Sequence, residues 1–238
     1  MRGRSFPNAA SPAGRAFDGR RFAGHAVAAA ASRVAATLLL AGCAASSPPP
    51  DWQANAHLAL ANFERAYLVG NSSVADREFT RTRTEVSSTG RVDLVARVEL
   101  ARCAVQVASL VFDDCAGYAP LAADAAPEER AYAQYIAGLW QAMDAKRLPP
   151  QHRAVVASGT LPADPLSRLV AAGALFRTGR LPPAGVRSAI DAASDNGWRR
   201  PLLAWLGVEA RLASDAGDTA NAARIQRRIE LVTRGGDK

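Results

Sequence analysis

Residues 91–110 are RVDLVARVELARCAVQVASL, and this segment decides the fold. Its apolar residues recur at helical spacing and form two stripes on different faces. The first stripe is Leu94, Val98, Ala101, Val105 and Ala108, and the second is Leu100, Cys103, Val107 and Leu110. A helix that is apolar on two sides needs neighbours on both. The segment therefore predicts a central, buried helix with other helices around it.

Helical spacing continues on both sides of this segment, and no convincing series of strands is present. Gly and Pro residues separate the predicted helices. These cover about residues 52–69, 73–87, 91–110, 127–148, 164–178, 182–196, 200–214 and 219–234. The Thr-Arg-Thr-Arg-Thr run at 80–84 also alternates like a strand. The sequence predicts an all-α fold of about eight or nine helices, arranged as antiparallel hairpins.

Three residues in the first predicted hairpin, Gly70, Ala75 and Phe79, resemble the middle of a tetratricopeptide repeat. The Gly-to-Ala spacing recurs twice, 38 residues apart, at Gly179 and Ala184 and at Gly217 and Ala222. Ser188 and Gln226 stand where the repeat has an aromatic residue. The resemblance implies stacked helix hairpins with a concave surface suited to extended peptides. An irregular helical bundle is the alternative.

Residues 40–43 are Leu-Ala-Gly-Cys, preceded by Arg33 and a short apolar run and followed by a Ser- and Pro-rich stretch. They resemble the lipobox of bacterial lipoproteins. The resemblance implies cleavage between Gly42 and Cys43, a diacylglyceryl group on the Cys43 sulfur and acylation of the new amino group. The apolar run is too short to span a bilayer, which needs about 20 residues. A core helix ending in a structural cysteine is the alternative.

The lipobox divides the chain into three parts. Residues 1–42 are predicted to be a removed signal peptide with a long leader, and residues 43–50 a lipidated tether reaching about 20 Å. Residues 51–238 then form a single α-helical domain. Ala44, rather than Asp, follows the cysteine, which implies an outer-membrane protein facing the periplasm. Two or more acyl chains would anchor it stably.

The net charge of +7 belongs mostly to the predicted signal peptide. Residues 1–42 contain six Arg and one Asp, so the mature chain keeps a formal charge of only +2. A nucleic-acid partner therefore has no support in the charge. The expected partners are the membrane, through Cys43, and another envelope protein.

Cys103 and Cys115 remain as an even pair in a compartment that permits disulfides. In one continuous helix they would be about 18 Å apart, whereas a disulfide needs Cα atoms within about 7 Å. The pair therefore predicts that the third helix ends near Leu110 and that the chain folds back. Two buried thiols are the alternative.

No catalytic residue, cofactor site or metal ligand is predicted. His57 and His152 are far apart and lack a metal-binding pattern, so each is expected at the surface or partly buried. Two acidic pairs could support glycosidase chemistry. They are Asp113 with Asp114, and Glu128 with Glu129. We expect the first pair in a solvated loop and the second at a helix N-terminus.

The last predicted helix carries a basic face, formed by Arg224, Arg227 and Arg228. We expect this face to be solvated, with anionic lipid or an acidic partner as the alternative. The leading functional hypothesis is a non-enzymatic, lipid-anchored scaffold that binds an envelope protein. The alternative is a cell-wall-acting enzyme or its accessory factor, using Asp113 or Asp114 in a cleft. A structural envelope lipoprotein is a third possibility.

Overall fold

Nine α-helices make up residues 49–235, which are the residues described by this computed structural model. They are α1 (Asp51–Val69), α2 (Ser72–Ser87), α3 (Val92–Ala108), α4 (Pro127–Ile136), α5 (Pro150–Ser158), α6 (Pro165–Arg177), α7 (Pro183–Asp195), α8 (Arg199–Asp215) and α9 (Thr219–Arg234). Short 3₁₀ turns lie at Ala119–Leu121, Trp140–Ala142 and Ala145–Arg147. These residues contain no strand, so the all-α prediction is confirmed.

The junction between α1 and α2 shows how the helix ends are set. Gly70 ends α1 with φ of 90°, a left-handed conformation that glycine adopts without strain. The Asn71 side chain then accepts a hydrogen bond from the Val74 amide and caps α2. From the sequence alone, Ser73 with Asp76 predicts a capping box for the second helix, and Asp51 is the predicted cap of the first. Asp51 is instead the first residue of α1, and Pro50 holds the cap position.

The threonine run at 80–84 is helical, so its strand interpretation is wrong. The hydroxyls of Thr80, Thr82 and Thr84 each donate to the backbone carbonyl four residues earlier. This bonding satisfies the hydroxyl inside a helix and lets Thr82 be almost fully buried. The alternation of Thr and Arg is therefore compatible with one buried and one solvated helix face.

Six of the nine residues in the two predicted apolar stripes are buried, and Leu94, Ala101 and Leu110 are half-buried, so α3 is enclosed on two sides. It packs against α1, α2, α4 and α6. Gly173 of α6 sits against Val107, and a Cβ at this position would overlap the Val107 carbonyl oxygen. Near the same end, the Trp205 indole nitrogen of α8 donates to the Ala108 carbonyl at 3.0 Å. Partners distant in sequence therefore enclose α3.

Consecutive helices pack together at the two ends of the described chain, in the pairs α1–α2, α7–α8 and α8–α9. Helix α8 also contacts α1. Arg200 of α8 donates to the Tyr67 carbonyl and to the Ser72 hydroxyl, each at 2.8 Å. These hydrogen bonds join the first hairpin to the C-terminal helices. The tetratricopeptide-like architecture stays a prediction.

The predicted helix from Pro127 ends earlier than its apolar pattern suggested. It stops at Ile136, and Gly138 has φ of 77°. Leu139, which continues the apolar spacing of this helix and is predicted from it to be in the core, is 63% exposed. Trp140 lies in a 3₁₀ turn, and its indole nitrogen donates to the Tyr135 carbonyl at 2.8 Å.

Helix α5 is absent from the sequence prediction, which had treated Pro149 and Pro150 only as helix breakers. Pro150 is the first residue of this helix, a position where the missing amide hydrogen costs nothing. The same residue type can therefore end one helical segment and begin the next.

The predicted signal peptide (residues 1–42), the lipobox residues Gly42 and Cys43, and most of the tether lie outside the described residues. Pro49 and Pro50, at the end of the tether, are exposed and non-helical. Between residues 49 and 235, the search for a helix with the length and apolarity to cross a bilayer found none.

Candidate functional site

A cleft of about 580 Å³ lies at the junction of α1, α3, α4, α5 and α6. Its apolar floor is Leu100, Ala104, Val105, Leu148, Leu166 and Val170. Its charged lining is Glu64, Arg97, Glu128, Glu129, Arg147, Arg153 and Asp164. We call this the large cleft. An apolar surface with a few convergent polar groups, in this volume range, is typical of binding sites.

The first ion pair of the large cleft joins α3 to α4. Arg97 donates to Glu129 Oε1 from Nε at 3.0 Å and from Nη2 at 2.7 Å. Glu129 lies in the first turn of α4, where the helix dipole stabilises a carboxylate. It is only 4% exposed, and its Oε2 has no hydrogen-bond partner among residues 49–235. One buried carboxylate oxygen of the cleft wall is thus left unsatisfied.

The second ion pair lies at the solvated edge of the large cleft. Arg147 Nη1 donates to Glu128 Oε1 at 2.8 Å. The hydrogen bond from Arg147 and the amides of the α4 first turn hold the pKa of the Glu128 carboxyl below its usual value. The pair Glu128–Glu129 therefore lies at a helix N-terminus, where the sequence placed it, and both members line the cleft.

Glu64 projects from α1 and lines the same cleft. Burial raises the pKa of its carboxyl, the nearby Asp164 carboxylate raises it further, and His57 acts in the opposite direction. Sequence reasoning missed Glu64. The available signal was its position between Leu60 and Tyr67, at helical spacing on the half-buried face of α1. An acidic residue within such a stripe indicates that its carboxyl is partly buried in the folded protein.

His152 is buried beneath the large cleft, which the sequence did not predict. It is 3% exposed, and its Nδ1 lies 3.2 Å from the Tyr135 hydroxyl. The ring centroids of Tyr132 and Tyr135 are 5.7 Å and 4.9 Å from the imidazole. Burial lowers the pKa of His152 to about 4 and raises the pKa of both tyrosines. The imidazole is therefore uncharged at neutral pH, whereas His57 is exposed as expected.

Cys103 and Cys115 are joined in a disulfide, with Cα atoms 5.7 Å apart. Helix α3 ends at Ala108, and Leu110 has φ of 57°. The chain turns back after this left-handed residue, as the pairing required. Asp113 lies near the two sulfurs, within 4.8 Å between ligand atoms. Sulfurs bonded to each other are not thiolate ligands, so the disulfide form offers no metal site here.

Asp113 and Asp114 are exposed and line a second, smaller cavity of about 340 Å³. The Asp113 carboxylate accepts a hydrogen bond from the Cys115 amide at 3.0 Å, so it supports the turn beside the disulfide. The structure does not bring this acidic pair to the large cleft.

The basic face formed by Arg224, Arg227 and Arg228 is exposed on α9. Arg228 lies 3.8 Å from Glu209 of α8, and Arg224 donates to Asn221. None of the three arginines lines the large cleft. These contacts are compatible with the expectation that the basic face is solvated.

Comparison of the chain with protein-family models, with curated proteins and with solved structures finds no match.

Proposed function

We propose that this protein is a lipid-anchored binding module of the bacterial envelope. It is tethered through Cys43 to the outer membrane, faces the periplasm and holds a segment of another envelope protein in the large cleft. The observation that carries the proposal is the combination of an apolar floor with a charged lining in one cleft of about 580 Å³. Both features are needed to bind an amphipathic chain segment.

The construction of the cleft floor supports this function. Helices α3 and α6 supply most of the floor, and Gly173 brings their backbones into close contact. A surface built on tightly packed helices changes little on binding, so less conformational entropy is lost. Arg97 is largely exposed although its partner Glu129 is buried. Its guanidinium can therefore also donate to backbone carbonyls of a bound segment.

Site-specific photocrosslinking tests the binding function. Gln151 is exposed and lines the large cleft, so a benzoylphenylalanine at this position should crosslink the partner in intact membranes. Gln226 is an exposed glutamine on α9 outside the cleft and provides the matched control. A specific adduct from position 151 alone supports the proposal. No adduct, or equal adducts from both positions, would contradict it.

The anchor needs a separate test. The variant Cys43→Ser removes the sulfur to which a diacylglyceryl group would be attached. We expect it to lose incorporation of labelled fatty acid and to accumulate as an uncleaved precursor, while the unchanged chain fractionates with the outer membrane. Normal labelling of Cys43→Ser would exclude the lipobox assignment.

A cell-wall-acting enzyme, or its accessory factor, is the second candidate function. The observation favouring it is the Glu64 carboxyl, because a carboxyl with a raised pKa in a cleft is a pattern of general acids. Release of soluble fragments from purified peptidoglycan measures this activity. Loss of release in Glu64→Gln would support an enzyme centred on the large cleft. Loss in Asp113→Asn or Asp114→Asn would instead support the acidic pair named from the sequence.

A further inference from the structure

We propose that the large cleft selects a segment bearing a cationic group on an alkyl chain, a primary ammonium or a guanidinium. Glu64 and Asp164 bind the cation, and the alkyl chain lies on the apolar floor. This inference rests on the proposed binding function and specifies the chemistry of the bound segment.

The cations that line the cleft already have partners within the chain. Arg97 is bonded to Glu129, and Arg147 to Glu128. Arg153 Nε donates to the Leu148 carbonyl at 2.9 Å. The two ion pairs neutralise Glu128 and Glu129, whereas Glu64, Asp164 and Arg153 form no ion pair among residues 49–235.

The two remaining acids are Glu64 and Asp164. Glu64 has no ion pair or hydrogen bond to any residue in the range 49–235. Asp164 uses Oδ2 to cap α6, accepting from the Ser167 amide at 2.8 Å, and its Oδ1 accepts no hydrogen bond from the same residues. Burial raises the pKa of the Glu64 carboxyl, and the nearby Asp164 carboxylate raises it further, because two negative charges repel. A bound cation would relieve this repulsion.

A third carboxylate gives an independent indication of a missing donor. Glu129 is 4% exposed, and its Oε2 is buried without a hydrogen-bond partner among the described residues. An unsatisfied buried carboxylate oxygen is costly. Arg97 is bonded only to the other oxygen, Oε1.

Apart from Arg153, which is exposed and bonded to the Leu148 carbonyl, the remaining titratable groups of the cleft carry no positive charge at neutral pH. His152 is uncharged at neutral pH because burial lowers its pKa to about 4. Tyr132 is neutral, since burial raises the pKa of its phenol, and an aromatic ring attracts a cation to its face. Beside these groups the floor residues Leu100, Val105 and Val170 offer contact for methylene groups. Long basic side chains combine these two requirements.

A pair of equal-length probes tests the selection. Hexylamine and hexanol differ in their charge, and isothermal titration of the full-length protein in detergent micelles measures both affinities. We expect hexylamine to bind about tenfold more tightly than hexanol, as a charge-assisted contact predicts. Equal affinities would overturn the inference.

Two variants locate the effect. Glu64→Gln keeps the shape of the side chain and removes its charge, so the preference for hexylamine should disappear. Glu230→Gln changes an exposed acid on α9 outside the cleft and should keep the preference. If both variants lose the preference for hexylamine, or if neither loses it, the inference is overturned. Asp164→Asn is a second cleft variant that can still cap α6, and it should weaken hexylamine binding alone.

A peptide arm distinguishes a protein-borne cation from a free amine. The probes are acetyl-Leu-Lys-Leu-amide and the same peptide with norleucine in place of lysine. Tighter binding of the lysine peptide than of hexylamine supports a protein segment as the source, and the reverse order supports a free amine. If Gln151 crosslinks a protein but the probes show no charge preference, the binding function stands and cation selection fails. If the probes show the charge preference but Gln151 forms no crosslink, cation selection stands and the proposed binding of a protein fails.

Discussion

At the scale of single residues, the burial of His152 makes the stability of the protein depend on pH. Its folded-state pKa is about 4, against an ordinary value near 6.5. Between these two values the unfolded chain binds a proton that the folded protein excludes. The contribution of His152 to the free energy of unfolding is therefore fully present above about pH 6.5. It decreases as the pH falls towards 4.

Replacing His152 with Phe should flatten this part of the pH profile. We expect the unchanged protein to lose about 2–3 kcal/mol more unfolding free energy than His152→Phe between about pH 7.5 and 4.5. Urea unfolding at a series of pH values measures the difference. His57→Gln alters an exposed histidine and should retain the steep profile. Parallel profiles for the unchanged protein and His152→Phe would refute the prediction.

The environments of His152 and Glu64 could not be predicted from the local sequence. His152 is buried because α5 begins at Pro150 and places the imidazole against Tyr132 and Tyr135 of another helix. Burial raises the pKa of the Glu64 carboxyl, and Asp164, one hundred residues away in sequence, raises it further. By contrast, Cys103 and Cys115 could be paired because their separation and the helix rise set a simple geometric condition.

At the scale of helices, the close approach of α3 and α6 depends on one missing side chain. A Cβ at Gly173 would overlap the backbone carbonyl of Val107. Backbone atoms of a central helix cannot rotate away as a side chain can. The two helices, and with them the floor of the large cleft, would have to separate.

Gly173→Ala should therefore destabilise the protein by about 2–3 kcal/mol, in spite of the better helix propensity of alanine. Gly207 is the control, because it is an exposed glycine within α8 with no atom in the path of an added Cβ. Gly207→Ala should stabilise by about 0.5–1 kcal/mol. Thermal and urea unfolding measure whether each variant is more or less stable than the unchanged protein. A change in the same direction for both variants would contradict the contact between Gly173 and Val107.

The disulfide closes the segment that follows α3. Replacing Cys103 and Cys115 together with alanine should cost about 3 kcal/mol of unfolding free energy, because the unfolded chain regains the freedom of the closed loop. Alkylation and mass spectrometry of protein prepared without a reducing agent should show neither cysteine modified. Modification of both would show that the thiols are free.

The helix boundaries show where local patterns were sufficient. Helix α3 was predicted almost completely because two apolar stripes require burial on two sides. Helix α4 was extended too far because Leu139 and Trp140 continue its apolar spacing beyond Gly138. The pattern could not show that Gly138 adopts a positive φ. Helix α5 was missed because a proline pair is compatible with an end and with a start.

At the scale of the whole molecule, Arg200 joins the two ends of the helical domain. Its guanidinium donates to Tyr67 and Ser72 and lies 4.3 Å from the centroid of the Tyr67 ring. Tyr67 lies in the last turn of α1, and Ser72 begins α2. One side chain of α8 therefore satisfies groups at the tip of the first hairpin.

Arg200→Ala should loosen the first hairpin without melting the rest. We expect a loss of about 1–2 kcal/mol of stability and faster hydrogen exchange of amides at the end of α1 and the start of α2. Amides of α7 should keep their protection. Arg227→Ala, on the exposed face of α9, should leave exchange unchanged. Uniformly faster exchange in Arg200→Ala would argue against a local link.

The global arrangement was predictable in class but not in its long-range pairs. The helical spacing of apolar residues, with Gly and Pro between the segments, indicates an all-α chain. These local features cannot indicate that α8 returns to α1 or that α6 packs on α3. Many of the contacting faces are rich in alanine, and such faces are compatible with several partners. The choice among them depends on particular residues such as Gly173 and Trp205, whose roles appear only when the helices are assembled.

The hydrogen bond from Trp205 to Ala108 also has a consequence for biosynthesis. The donor follows its acceptor by 97 residues. At about 5–20 residues per second, a ribosome needs about 5–20 s to make the intervening chain. During this interval α3 already exists, while the helix that covers its C-terminal end does not. The nascent chain therefore presents a helix that is apolar on two sides to chaperones and proteases, and a chain truncated before α8 would keep presenting it.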